Sequence, residues 1–406
     1  MPSNLQRGSA AAIGVLRAVF GAKRIDGLRK SEAYELYRRW RGQDQLGNAL
    51  AVLDGLDPSG ALYSRDLTRQ RLLNVALKRR SIRAGAPLNV IAYGDSDWED
   101  KGLWQAARRL GESSLFEPKN YPAGSESKLT HRKRTGREFI THLADFERRF
   151  GPVHLVFFYK GGIDLDPSML AELRTRGIWT ALMGLDDKQQ LPGPPLVGIS
   201  NWQLNAARNV DLYWTTWRTG ADWLTQRGVT TWYAPPGADP DFFHPIEAVS
   251  DLDAVWVGRA YGPRHGLVRY VQSHGIKVTA VGPGWPGGPV DFEEMIRLFS
   301  RAKVVLGMGG IGQTDEFKTL KGRDFEVAMC GSLYLTSFNP ELAEHFDVGK
   351  EILCYGSPFE AVDTLRYILR RPEEATRIRT AARARSLADH TWDKRFSDLK
   401  NLLTVG

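Results

Sequence analysis

The chain has 406 residues, enough for two domains at about 100–200 residues each. Its composition, 42% hydrophobic with 10% aromatic and 25% charged residues, is globular and excludes a collagen-like, coiled-coil or wholly disordered chain. With only Cys330 and Cys354, a disulfide framework and a four-cysteine zinc site are excluded; the pair suits a reducing compartment, so a cytoplasmic location is expected.

No apolar run approaches the roughly 20 residues needed to span a bilayer, so no transmembrane segment is expected. Residues 10–22 are too short, carry Arg17 at their centre and do not read as a secretory signal. The net charge of +8 sits at one end: residues 1–85 hold 16 Lys and Arg against 7 Asp and Glu, which leaves 39 against 40 for the rest. A near-neutral body with a basic front end predicts an appendage that meets an anionic membrane surface or nucleic acid; the plainer alternative is a solvated helical extension.

Residues 31–40 place Tyr34, Tyr37 and Trp40 on one side at helical spacing. A second basic helix over 69–83 sets Leu72, Leu73, Val75, Ala76 and Leu77 among Lys78, Arg79, Arg80 and Arg83, and stops at Gly85-Ala86-Pro87. Residues 1–86 therefore read as a basic helical extension.

From residue 88 short apolar runs alternate with amphipathic helices. Strands are predicted at 88–93, 154–159, 179–183, 212–216 and 230–234, with helices such as 167–176 and 221–227 between them. Pro235-Pro236-Gly237-Ala238-Asp239-Pro240 and the polar stretch to Ser250 break the pattern. A second series follows, with strands at 254–257, 278–281, 303–306, 333–336 and 351–355, spaced as crossover helices require. The fold class is α/β: a Rossmann-like doubly wound domain over 87–236, a linker over 237–250, a second such domain over 251–385, and a C-terminal helix over 386–406 that packs back on the first domain. The crevice between the domains, outside the carboxyl ends of the strands, is the expected site.

Asp95-Ser96-Asp97 follows the first strand, and paired carboxylates suit hard cations. The same spacing recurs at Asp164/Asp166, Asp239/Asp241 and Asp251/Asp253, which favours turn and cap roles, so no metal site is assigned. Gly307-Met308-Gly309-Gly310-Ile311-Gly312 has the dinucleotide-binding glycine spacing, but Gln313-Thr314-Asp315-Glu316 does not start an apolar helix, and a loop lining the crevice is the better reading. In residues 320–335, Lys321 and Arg323 precede or open a helix. Cations there oppose the helix dipole and call for an anionic partner such as phosphate, unless Arg323 and Glu326 form an ordinary surface pair.

Lys321-Gly322-Arg323-Asp324-Phe325-Glu326 with Cys330-Gly331, then Glu344-His345-Phe346 and Gly349-Lys350-Glu351-Ile352, resembles the C-terminal domain of the CgeB-like glycosyltransferases, and residues 370–375 and 390–396 look like that family's closing helices. The likeness is clear over 251–400, extends plausibly over 88–250 and is absent over 1–85. It implies the GT-B fold and transfer of a sugar from a nucleotide-diphosphate donor, a UDP-sugar first, to a hydroxyl of a glycan, lipid-linked, protein or hydroxylated-nucleobase acceptor, without a bound metal or cofactor.

By the same resemblance Glu326 binds the ribose hydroxyls, and Lys321, Arg323, Arg259 beside Gly258, and Arg264 hold the diphosphate. One departure concerns stereochemistry: Lys318 stands where many retaining GT-B enzymes carry a second Glu, with Glu316 out of register, so retention does not follow. If the reaction inverts, an N-terminal-domain carboxylate must deprotonate the acceptor, Asp97 first and Asp187 second. The alternatives are a nucleotide-sugar epimerase or hydrolase on the same fold, and a nucleic-acid or anionic-surface binding protein with a degenerate sugar-nucleotide site.

Overall fold

Val90-Ile91-Ala92-Tyr93-Gly94 is buried at every position, as a strand covered on both faces must be. The same holds for Leu155–Tyr159 and Trp179–Met183, and these runs form the middle of a parallel sheet. The computed structural model describes residues 47, 49–119, 127–184, 186–193, 201–311, 315 and 317–404. The helix expected at 31–40 lies outside them.

The first sheet contains β1 (Val90–Gly94), β2 (Ser113–Phe116), β3 (Leu155–Tyr159), β4 (Trp179–Met183), β5 (Leu212–Thr215) and β6 (Thr231–Tyr233), in the order β2-β1-β3-β4-β5-β6. The second contains β7 (Leu252–Val257), β8 (Val278–Val281), β9 (Ala302–Leu306), β10 (Tyr334–Ser337) and β11 (Leu353–Tyr355), in the order β11-β10-β9-β7-β8. Every strand pairing in both is parallel. Helices α1 (Arg65–Ala76), α2 (Leu103–Arg108), α3 (Lys128–Phe150), α4 (Pro167–Thr175), α5 (Asp187–Gln190), α6 (Trp202–Asn209) and α7 (Arg218–Gln226) accompany the first sheet. Helices α8 (Arg264–Ser273), α9 (Phe292–Arg301), α10 (Gly322–Met329), α11 (Pro340–Ala343), α12 (Pro358–Leu369), α13 (Pro372–Asp389) and α14 (Trp392–Leu403) follow. Local chemistry fixes several starts: Asp166 accepts hydrogen bonds from the N–H groups of Ser168 and Met169 ahead of α4, and Ser357 with Pro358 opens α12.

Two features depart from the sequence reading. Strand β2 was not expected: it is an edge strand of four half-buried residues beginning Ser-Ser, without a clear apolar run or alternation. The basic extension expected over 1–86 does not hold as an appendage over its described part. Ala49 and Val52 pack with Trp223 in one core, and Leu72 and Ile82 join the other. Its charges are drawn inward too, since Arg79 pairs with Asp211 at 2.6 Å with both side chains almost fully buried, and Arg71 donates to the carbonyls of Val229 and Thr225.

The chain crosses between the sheets twice at one place. Ala238 in the linker pairs with Thr391 ahead of α14, and the buried Arg395 guanidinium donates to the carbonyls of Pro235 and Asp389 at 3.0 and 2.8 Å. Helix α14 then covers the first sheet: Phe396 lies 5.0 Å from the Phe157 ring and Trp392 6.1 Å from Trp214. Among the described residues no helix is long and apolar enough to cross a membrane.

Candidate active site

In each sheet the strand order reverses beside the first strand, between β1 and β3 and between β7 and β9, and a doubly wound sheet opens a crevice for ligands at such a point. At the second of these lies a cavity of about 290 Å³ lined by Gly258 after β7, Gly307 and Met308 after β9, Arg264, and Lys321, Arg323 and Glu326 around the start of α10. A larger cavity of about 590 Å³ sits against Cys330 to Ser332 and the Arg379 and Arg383 side chains, at the amino ends of the strands and away from the crevice.

Each wall of the smaller cavity has a local cause. Gly258 has φ +146°, a backbone region that favours glycine, and a Cβ on the facing Gly282, itself at φ +125°, would come within 2.4 Å of the Gly258 carbonyl oxygen, so the close approach of the two turns depends on glycine at 282. Arg264 opens α8; its guanidinium donates to the Arg259 carbonyl at 2.9 Å and to the Tyr261 hydroxyl at 2.8 Å and stacks on the Tyr261 ring. Arg259 is exposed beside the cavity rather than in its lining. Gly307 and Met308, from the glycine-rich run, line the cavity as a loop; Gly312 lies outside the described residues.

At α10 the Asp324 carboxylate accepts the Lys321 N–H at 2.8 Å, closing the first turn. Burial pushes the Asp324 carboxyl up to about 7, against the pull of that bond and the Lys321 charge. Glu326 is 8% exposed, and its Oε2 lies 3.4 Å from Arg323 Nε. A Cβ on Gly322 would meet Glu326 Oε1 at 2.8 Å, so glycine makes room for the carboxylate over the helix start. Burial raises the Glu326 carboxyl and Arg323 opposes the rise. The expected shared face of Arg323 and Glu326 is present, and the pair lines a cavity instead of a solvated surface.

On the opposite wall the Lys160 ammonium holds Asp95 at 2.5–2.6 Å. Asp97 is exposed ahead of a 3-10 turn, Trp98–Lys101, and makes no capping bond to it. Asp187 is 1% exposed, with both oxygens engaged by the Tyr213 and Thr215 hydroxyls at 2.6 and 2.5 Å; burial still pushes its carboxyl up to about 6. It is closed off from the crevice.

The sequence reading passed over Glu99. This carboxylate is 7% exposed, and its Oε2 is buried without a hydrogen-bond partner among the described residues. Burial first, then the charges of Asp97 and Asp95, push it up to about 7, while its own N–H and Lys160 pull the other way. Tyr159, at the end of β3, is raised by burial and then by the charges of Glu99, Asp186 and Glu326. The remaining Asp-x-Asp pairs are caps and ion pairs: Asp164 holds Lys128, Asp166 caps α4, Asp239 and Asp241 hold Arg109, Asp251 holds Arg301 and Asp253 holds Lys303. Among the described residues no three His, Cys, Asp or Glu side chains are grouped as metal ligands are.

Residues 264–401 match the family model described as Glycosyl transferase-like. The chain carries a glycosyltransferase domain. No curated protein matches the sequence. Among solved structures, sucrose-phosphate synthase from Thermosynechococcus elongatus aligns over 78% of this chain and 99% of its own, at 14% identity and TM-score 0.56. HepE from Anabaena, solved in complex with UDP, aligns over 77% and 99% at 10% identity and TM-score 0.52. A glycosyltransferase from Rickettsia africae aligns over 79% and 100% at 10% identity and TM-score 0.52. These likenesses show the GT-B fold.

In this GT-B glycosyltransferase the two domains touch across the crevice through charged groups. Lys188 donates to Glu341 Oε2 at 2.8 Å, and the Arg218 N–H donates to Glu341 Oε1 at 2.9 Å. Lys321 Nζ reaches Asp186 Oδ1 at 3.1 Å. Lys321, in the wall of the smaller cavity, is therefore already engaged by the other domain.

Proposed function

We propose that the protein transfers a sugar from a nucleoside-diphosphate donor, a UDP-sugar first, to a hydroxyl acceptor, in the manner of the CgeB-like enzymes that its C-terminal half resembles. The observation that carries this is the cavity at the β7/β9 switch point, where Arg264, Lys321 and Arg323 stand beside a buried carboxylate, Glu326. That set suits a ligand with vicinal hydroxyls and a diphosphate: Glu326 accepts the ribose hydroxyls, and the cations neutralise the charge that grows on the leaving diphosphate. Gly258 lets the backbone approach that group, and Arg259 stands exposed at the rim. The UDP complex of HepE, on the same fold, supports a uridine donor.

The acceptor enters from the β1/β3 side. In an inverting transfer a carboxylate there takes the hydroxyl proton as the acceptor oxygen attacks the anomeric carbon and the bond to the diphosphate breaks. Of the crevice carboxylates, Asp187 has both oxygens occupied and Asp97 stands in solvent. Glu99, with one oxygen unpaired among the described residues and a carboxyl near 7, is matched to accept a proton at neutral pH, and Asp97 is the next choice. Residues 1–46, with nine Lys and Arg against four Asp and Glu, keep charge for docking on an anionic surface.

The test is turnover: purified protein with a panel of nucleotide sugars and simple hydroxyl acceptors in excess EDTA. Acceptor-dependent release of a nucleoside diphosphate supports transfer without a metal. Release at the same rate without acceptor points to a hydrolase, and no release from any donor removes the reading.

A further inference from the structure

Trp256 sits near the end of β7 with its ring 3% exposed, packed among Leu267, Trp285 and Met308. Its indole N–H is buried and has no hydrogen-bond partner among the described residues. A buried donor left unpaired is costly and uncommon in folded chains. Four other buried indoles, Trp104, Trp179, Trp214 and Trp285, each donate to a backbone carbonyl at 2.7–2.9 Å, whereas Trp223, in the first domain's core, shares the unpaired state among the described residues.

The Trp256 side chain reaches the wall of the donor cavity. Trp256 and Gly258 both line it, and a Cβ built on Gly258 would stand 3.9 Å from the indole nitrogen. The Arg264 guanidinium lies over the ring, 5.6 Å from its centre. Arg264 also begins α8, a ten-residue helix with no side-chain cap and no acidic residue in its first turn. An arginine, an uncapped helix start and an unpaired indole N–H thus converge on one turn, and all three are hydrogen-bond donors or positive. The first strand-to-helix turn of a doubly wound domain is also where such folds hold a pyrophosphate.

We propose that the Trp256 indole N–H donates a hydrogen bond to the diphosphate of the nucleotide donor. The inference rests on the donor-site reading above and adds a residue to it. Trp256 then distinguishes a nucleoside diphosphate from the bare nucleoside, because its donor faces the phosphate end of the ligand and leaves the base untouched.

Trp256→Phe keeps an aromatic ring in the β7 wall and removes only the donor and part of the ring. Calorimetric titration first finds which of UDP, GDP, ADP, CDP and dTDP binds the wild type. For that nucleotide the variant should lose about ten- to a hundredfold in affinity, the value of a hydrogen bond to a charged group, while the matching nucleoside binds both proteins alike. An equal loss for the nucleoside would place the N–H on the base, and unchanged affinity would leave it without a ligand; either overturns the proposal. If no diphosphate binds the wild type, the donor-site reading fails and this inference with it. Because the variant could lose its fold, indole ¹⁵N–¹H spectra of the wild-type protein provide a second measurement. One indole resonance should move downfield with the diphosphate and stay in place with the nucleoside, and the absence of that shift also overturns the proposal.

Discussion

Lys321 and Asp186 face each other across the crevice, Nζ 3.1 Å from Oδ1, one from each α/β half. The pair places a cation of the proposed diphosphate site under the hold of the opposite wall, so on that proposal donor binding exchanges one anionic partner for another. Asp186 has φ +48°, a backbone region that Asn also tolerates, so Asp186→Asn removes the charge without forcing the turn. Both side chains keep solvent contact, so the exchange is modest: the variant should bind a nucleoside diphosphate up to about fivefold more tightly, from an exposed-pair strength of about 0.2–1 kcal/mol. Lys321→Ala should weaken the same binding about tenfold. Calorimetric titration of both variants checks the pair of signs, and weaker binding by Asp186→Asn would mean that Asp186 serves the donor directly.

Glu326→Ala should weaken nucleotide binding by about ten- to a hundredfold, through lost charge-assisted bonds of about 1.5–3 kcal/mol each. Arg323→Ala should lower kcat more than affinity, because charge on the diphosphate grows toward the transition state. The contact between the two residues at 3.4 Å allows the alternative of a purely structural pair, which would alter melting temperature and leave both kinetic constants alone. Measuring all three quantities for both variants separates the outcomes.

Glu99 gives a pH signature with a definite sign. Its folded carboxyl, near 7, lies above the ordinary carboxylate value, so the folded state binds this proton more tightly than the unfolded chain. The favourable contribution is complete below about 4.5 and is lost as pH rises through about 7. Glu99→Gln should therefore melt higher than wild type at pH 8, with the difference shrinking toward pH 5. In an inverting reaction kcat/KM of the wild type should rise through pH 7, and the variant should lose about 10²–10⁴-fold and flatten the profile. Normal turnover in Glu99→Gln with the same stability shift would leave Glu99 a buried structural carboxyl and return attention to Asp97.

Deleting residues 1–46 should leave the melting temperature and nucleotide affinity unchanged while reducing salt-sensitive binding to anionic vesicles or nucleic acid. Deleting residues 1–85 should instead unfold or strongly destabilise the protein, because it exposes the surface covered by Val52 and Leu72 and leaves Asp211 buried without Arg79. Thermal melts of both truncations, with vesicle sedimentation at low and high salt for the first, check this.

Strands β1, β3 and β4 were legible because burial on both faces turns each into an unbroken apolar run. Edge strand β2 was not, since partial exposure lets Ser113 and Ser114 stand where a central strand needs apolar residues. The pairing of Arg323 with Glu326 could be read from local spacing, since they are three apart on one helix. Glu99 could not, because a carboxylate in Asp-Trp-Glu-Asp looks solvated, and its burial is a property of the folded chain. Arg79 misleads in the same way, a basic residue in a basic run whose partner, Asp211, lies 132 positions away. Asp187 was placed correctly after β4, yet the hydroxyls that occupy it, on Tyr213 and Thr215, come from the neighbouring strand β5.

The most direct test of the central claim is calorimetric titration of the full-length protein with UDP, GDP, ADP, CDP and dTDP, repeated with Glu326→Ala. A nucleotide-sugar donor site in the β7/β9 cavity predicts saturable binding of at least one nucleoside diphosphate to the wild type, UDP first, and a ten- to hundredfold loss in the variant. Absence of binding by every diphosphate, or equal binding by the folded variant, would contradict it.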